Sequence, residues 1–251
     1  MEPATTLRPA LLGKPIASYR AMPLPPATWM LWVALWATLL TASLFNDHLN
    51  LQFFYWMALL GTAATCWTAR RRMHSRLDLY QNGFDLRHGK RHRRVCWNQI
   101  YEVYQVPIYG CLTRVDGQAV PASWIVHIIR RDGRCLRLAG FEAMQRLGSH
   151  IQHSLSERQL RVAVDAYRAG YTVRFGRHFA VGHDGIYVRH QRMAWDDIAE
   201  ISIDDADSIR LTPQQITTDS LHIESSLVPN LPVLHEFLQM TQQPDFHGHA
   251  T

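Results

Sequence analysis

The chain has 251 residues, a net charge of +5 and four cysteines. Cys66, Cys96, Cys111 and Cys135 form no CxxC pair, which argues against a disulfide-stapled scaffold or a zinc ribbon and fits reduced thiols. The basic excess is uneven: residues 70–150 hold 15 Lys/Arg against 6 Asp/Glu, and residues 151–245 hold 8 against 13. Such a split bears on docking and says little about fold.

Residues 1–26 are proline-rich with few periodic apolar positions, and read as an irregular cytoplasmic tail. Pro23, Pro25 and Pro26 prevent a helix from extending backwards into it. Residues 27–45 and 51–69 carry no Asp, Glu, Lys or Arg. Each run is close to the ~20 residues that a helix needs to cross a bilayer. Trp29 and Trp67 suit one interface, and Phe45 with Phe53, Phe54, Tyr55 and Trp56 suits the other. The stretch 27–72 is therefore expected to be a transmembrane helical hairpin, joined by a polar elbow at Asn46–Asn50. Arg8, Lys14 and Arg20 before it, and Arg70, Arg71, Arg72 and Arg76 after it, place both termini in the cytoplasm by the positive-inside rule. This predicts an integral protein of a bacterial-type inner membrane, in contact with membrane lipids through two spans.

Short strands with tight turns come next. Leu77–Tyr80 and Phe84–Arg87 alternate around an Asn82-Gly83 turn. Val95–Val106 reads as a long strand or a bent pair, with Trp97, Ile100 and Val103 in the core. Pro107–Pro121 reads as a loop or ragged hairpin, with Ile108 and Tyr109 packed in the core, dipping into the membrane or meeting a partner. Trp124–Arg130 and Arg134–Leu138 flank an Arg131-Asp132-Gly133 turn. Phe141, Met144, Leu147 and Ile151 then fall at helical spacing. A similar order begins again with a helix over Leu155–Ala169. Strands follow at Thr172–Phe175, His178–Val181, Ile186–Arg189 (after an Asp184-Gly185 turn), Met193–Ile203, Ser208–Thr212 and Leu221–Glu224. A final helix over about Val233–Met240 precedes a disordered tail, 244–251.

The two halves align at an offset of roughly 100 residues. Asn82-Gly83-Phe84-Asp85-Leu86-Arg87 and Trp97-Asn98-Gln99-Ile100-Tyr101-Glu102-Val103 match Asp184-Gly185-Ile186-Tyr187-Val188-Arg189 and Trp195-Asp196-Asp197-Ile198-Ala199-Glu200-Ile201. The shared [ND]-G-[FI]-x-[LV]-R … W-x-x-I-x-E-[VI] run, with further strands and a terminal helix, resembles bacterial pleckstrin-homology-like (PH-like) domains. In particular it is similar to membrane-anchored bacterial proteins with a PH-like cytoplasmic body and no assigned function. The resemblance spans most of residues 76–240. It implies a bent seven-stranded sheet plugged by a helix, which binds lipid headgroups, peptides or other protomers and seldom catalyses. The expected fold class is thus a membrane-anchored α+β chain, with a transmembrane hairpin followed by two tandem PH-like units at 76–154 and 155–243.

No phosphate-binding loop, dinucleotide fingerprint, nucleophile elbow or H-E-x-x-H helix is present. Neither His88 with His92 nor His247 with His249 has carboxylate or thiolate partners at ligand spacing, so no metal and no cofactor is expected. Asp204-Asp205-Ala206-Asp207 lacks the glycine and distal glutamate of a calcium loop and reads as a solvated tip. The basic hairpin Arg87, Lys90, Arg91, Arg93 and Arg94 is the candidate contact for anionic headgroups. It has no aromatic stacking platform, so nucleic acid is not an expected partner. The reading that follows is a non-catalytic membrane-anchored binding or scaffold protein, whose PH-like units contact a protein partner or anionic lipid at the cytoplasmic face. The alternatives are a structural or regulatory subunit of a larger membrane complex, and an enzyme drawing on His183, Asp196 or Asp197.

Overall fold

The computed structural model describes residues 12–22, 75–89, 91–115, 118–189, 191–204, 208–214 and 220–241, together with helical positions at 30–32, 34–38, 41, 56, 59–67 and 70. The strands in order are β1 (Pro15–Arg20), β2 (Ser75–Tyr80), β3 (Gly83–His88), β4 (Arg91–Cys96), β5 (Ile100–Val115), β6 (Gln118–Arg130) and β7 (Cys135–Ala139). Helix α1 (Met144–Arg168) follows, then β8 (Val173–Phe175), β9 (Phe179–Gly182), β10 (Gly185–Val188), β11 (Gln191–Met193), β12 (Ile198–Asp204), β13 (Ser208–Pro213), β14 (Leu221–Glu224) and helix α2 (Leu231–Thr241).

The strands form four antiparallel sheets, in the orders β1-β2-β3-β4, β5-β6-β7, β11-β10-β9-β8 and β12-β13-β14. Each half of the chain thus runs through four strands, a 3-10 turn, three strands and a helix. The 3-10 turns are Trp97–Gln99 and Trp195–Asp197, and in both the N–H of the next isoleucine, Ile100 or Ile198, donates to the tryptophan carbonyl. This i→i+3 closure interrupts the strand pairing. It explains the W-x-x-I spacing, and it coincides with the division of each half into sheets of four and three strands in place of one seven-stranded sheet.

The expected fold class does not hold. The described chain is mostly β, with few helices, and among the described residues no helix is long and apolar enough to cross a membrane. A span needs ~20 apolar residues. The helical residues 59–67 include Gly61, Thr62 and Thr65. Thr62 and Thr65 turn their hydroxyls back onto the carbonyls of Leu59 and Gly61, and a Cβ on Gly61 would collide with the Trp32 ring. The transmembrane hairpin, the lipid contact through two spans, the inner-membrane placement and the cytoplasmic termini are withdrawn with it. The Asn46–Asn50 elbow, the 244–251 tail and the Asp205–Asp207 tip lie outside the described residues.

Two further corrections concern boundaries. Residues 15–20, expected to be irregular, form β1, which pairs antiparallel with β2. Its sequence, PIASYR, buries only Tyr19, too little apolar alternation to betray a strand. The helices expected at about 140–153 and at 155–169 are a single α1 of 25 residues. The two stretches lie in phase, so no break separates them.

The chain divides into two compact units: Met1–Val95 with Gly140–Glu142, and Cys96–Ala139 with Ala143–Thr251. In the first, Leu77, Leu79 and Phe84 supply the buried face of the β1–β4 sheet. In the second, α1 is buried through Leu147, Ile151 and Leu155 in its first half. Ala163 and Tyr167 of its second half join a core with Phe175, Phe179, Ile186 and Phe237. Tyr167 meets Phe237 edge-on at 5.4 Å, and Phe175 tilts against the same ring at 5.8 Å.

Candidate functional site

Alternation along β2 and β3 sends every second side chain to one face. With Leu77, Leu79 and Phe84 on the buried face, Arg76, Asp78, Asp85 and Arg87 occupy the other. Arg76 stands directly opposite Arg87 and Asp78 opposite Asp85. β1 extends both rows, with Arg20 opposite Arg76 and Ser18 opposite Asp78. The face therefore bears a row Arg20–Arg76–Arg87 beside a row Ser18–Asp78–Asp85.

The two carboxylates are buried, Asp78 to 6% and Asp85 to 2% exposure. Burying a charge is costly unless it is paired and hydrogen-bonded, and the surrounding cations provide the pairing. Arg76 Nε donates to Asp78 Oδ1 and to Ser18 Oγ, both at 2.7 Å, and Ser18 Oγ donates to Asp78 Oδ1 at 2.7 Å. Arg87 Nε lies 3.3 Å from Asp85 Oδ2 and 3.5 Å from Asp78 Oδ2. His92 Nδ1 stands 3.3 Å and Arg94 Nε 3.9 Å from Asp85 Oδ2. Desolvation would lower the Arg87 pKa, but the charges of Asp78 and Asp85 outweigh it and hold the guanidinium above its ordinary value.

The candidate headgroup contact is consequently not one surface. Arg87 and Arg94 belong to the carboxylate network. Arg91 and Arg93 are exposed and alternate with Arg94 along β4, which turns them to the opposite face. Lys90 lies outside the described residues. The basic hairpin read at 87–94 joins β3 to β4, with residues 91–94 in strand. Sequence reasoning missed Arg76, Asp78 and Asp85 as partners, although R-L-D and D-L-R carry the alternation that pairs them.

A second feature lies within the other compact unit. β5 is the edge of its sheet, and at Val103 that edge is occupied by Asn230. The Asn230 N–H donates to the Val103 carbonyl at 2.9 Å, and the Val103 N–H donates to Asn230 Oδ1 at 3.0 Å. Asn230 Nδ2 also donates to the Tyr101 carbonyl at 3.3 Å. One asparagine thus imitates an added strand residue. Beyond it opens a cavity of ≈ 180 Å³ lined by Gln105, Trp124, Gln145, Ser149, Gln152, Val228 and Leu231. Gln145, Ser149 and Gln152 share one stripe of α1. Gln105 Nε2 and Ser149 Oγ both donate to the Gln145 carbonyl, at 3.3 and 3.0 Å. Gln152 is 7% exposed. Gly148 leaves room for this arrangement, since a Cβ there would come within 2.7 Å of the Gln105 amide. No sequence motif marked this cavity; Trp124 stood out only as the start of a strand.

Two of the three residues weighed for catalysis have structural partners. His183 Nε2 donates to the Tyr167 carbonyl at 2.6 Å, and its ring stacks on Tyr167 at 4.1 Å. Asp196 and Asp197 lie in the 3-10 turn, where the Asp197 carbonyl accepts the Gln214 N–H at 2.9 Å. Among the described residues, no group of three or more His, Cys, Asp or Glu could hold a metal ion, and Cys66, Cys96 and Cys135 are free thiols.

A family model described as a family of unknown function (DUF6585) matches residues 1–246. No curated protein matches. Among solved structures, a chain of the "Structure of the Spt16D Pob3N heterodimer" is 13% identical, with 59% of this chain and 86% of that chain covered, at a TM-score of 0.21. At that TM-score nothing about the present chain follows from it.

Proposed function

The chain belongs to the family of unknown function DUF6585, and from its own geometry we propose that it is a non-catalytic binding protein built from two PH-like repeats. Its partner is another protein, presented as an extended, uncharged polar segment. The carrying observation is the cavity beside the β5 edge, where the polar side chains of Gln105, Gln145, Ser149 and Gln152 line one space with Trp124. A peptide amide or a Gln, Asn or Ser side chain would find both donors and acceptors among those side chains. Backbone pairing recurs every second residue along an edge strand. Gln105 therefore turns its N–H and C=O the same way as Val103, which already takes Asn230. An incoming segment would add there as a further strand, with Trp124 as its apolar anchor.

The headgroup reading through Arg87, Lys90, Arg91, Arg93 and Arg94 is weaker as one surface, because Arg91 and Arg93 alternate with Arg94 along β4 and turn to the opposite face. The membrane-complex alternative rested on the spans and goes with them. Panning a random peptide library against the full chain tests the proposal. Enriched peptides should be extended and rich in Gln, Asn and Ser, and should lose about tenfold or more in affinity against Trp124→Ala. Gly148→Ala should weaken them as well, since the added methyl drives Gln105 into the cavity. If the enriched peptides bound both variants as tightly as the parent chain, the proposal would be wrong.

A further inference from the structure

We propose that the arginine row Arg20–Arg76–Arg87 on the β1–β3 face is a binding site for a phosphate-monoester anion. The site lies in the other compact unit from the peptide cavity and is independent of it. Like charges directly opposite one another across a sheet are destabilising, yet Arg20 pairs with Arg76 and Arg76 with Arg87 in register. Asp78 and Asp85 offset part of that repulsion from the neighbouring row, and they do so through the Nε atoms of Arg76 and Arg87. Among the described residues the terminal Nη atoms of both guanidiniums form no hydrogen bond, and neither does the Arg20 side chain. Arg76 and Arg87 remain half exposed, at 50% and 42%.

The result is a set of guanidinium forks fixed at the base with their outer donors unused. A planar fork of this kind matches the oxygens of a phosphate in a bidentate manner. Because the Nε anchors already restrict both side chains, less freedom is lost when the anion arrives. Charge favours an anion: the guanidiniums of Arg20, Arg76 and Arg87 outnumber the carboxylates of Asp78 and Asp85, and a phosphate monoester carries close to two negative charges at neutral pH. Beside the row, a shallow cavity of ≈ 500 Å³ is lined by Ile16, Ser18 and Tyr80 along with Arg76, Asp78 and Arg87. Ile16 and Tyr80 give it an apolar wall, so the ligand carries an organic substituent on its phosphate. Either a soluble monoester or the headgroup of phosphatidic acid has this chemistry.

Calorimetric titration of the full chain with phenyl phosphate tests the site, with a second arm using phosphatidylcholine vesicles with and without phosphatidic acid. Saturable binding is expected in at least one arm. Arg87→Gln should weaken it about tenfold or more, as the loss of a charged hydrogen-bonding partner does. Arg20→Gln breaks no bond within the described chain, so it should weaken binding severalfold at an unchanged melting temperature, which separates ligand loss from misfolding. Binding to phenyl phosphate assigns a soluble ligand, and binding to phosphatidic acid vesicles alone assigns a headgroup. Absence of saturable binding in both arms overturns the site, as does Arg20→Gln binding like the parent chain. Trp124→Ala should leave both arms unchanged, so the failure of one proposal does not carry the other.

Discussion

At the scale of single residues, Asn230 carries an unusual load. It holds a left-handed backbone at φ 52°, accepts from Val103 and donates to Tyr101. Asparagine tolerates that conformation better than most side chains. Asn230→Ala should therefore cost about 2–3 kcal/mol in denaturant unfolding, from two lost hydrogen bonds and a Val103 N–H left without its acceptor. Asn230→Asp keeps the acceptor and should cost about half as much. Gly185 is comparably constrained. Its φ is 145°, and a Cβ would run into the Met193 carbonyl, a backbone atom that cannot swing away. Gly185→Ala should destabilise by about 2 kcal/mol or more. Gly148→Ala is the contrast: its obstacle is the flexible Gln105 side chain, and alanine gains about 1 kcal/mol of helix propensity. Its melting temperature should stay level or rise.

Among the elements, the β5–β6–β7 sheet contains a titration that acid should reveal. His127 sits between Tyr104 of β5 and Arg137 of β7 in register. Burial and, secondarily, the Arg137 charge push its pKa below the ordinary 6.5. A depressed pKa means that the unfolded chain binds the proton first. The stability contributed by neutral His127 is complete above pH 6.5 and is lost as pH falls through the folded-state value. Chemical denaturation between pH 7.5 and 5 should show a decline whose slope is smaller in His127→Gln. How far this sheet could be read from sequence shows where pattern reasoning succeeds and fails. Trp124–Arg130 and Arg134–Leu138 alternate around a turn, and the strands were legible there to within a residue at β7 (Cys135–Ala139), though not in the length of β6. Residues 107–121 were legible only in part: Pro107, Pro121 and two glycines signal a loop or a ragged hairpin, and pairing with register shifts at Ile108/Tyr109 and Tyr109/Arg114 carries β5 on to Val115 and β6 back from Gln118. β1 was invisible, since it joins its sheet with little apolar periodicity of its own. The buried Asp78 and Asp85 were hidden because their neutralising partners sit on neighbouring strands. Composition counts those charges without showing that they meet.

For the whole molecule, the unbroken α1 has the widest reach. The repeat in the sequence suggests a joint near residue 154, but that point falls inside a helix of 25 residues, about 37 Å of continuous rod. The compact units divide elsewhere, near residue 95 and around residues 140–142. Expressing 76–154 and 155–243 as separate pieces should therefore give two chains without a cooperative melting transition by circular dichroism. A piece beginning at residue 96 should retain one. If a gene doubling produced this chain, the ancestral module can no longer be recovered by cutting at the seam. The copies have traded self-sufficiency for a common spine, and a mutation that loosens either end of that spine should be felt by the strands of both.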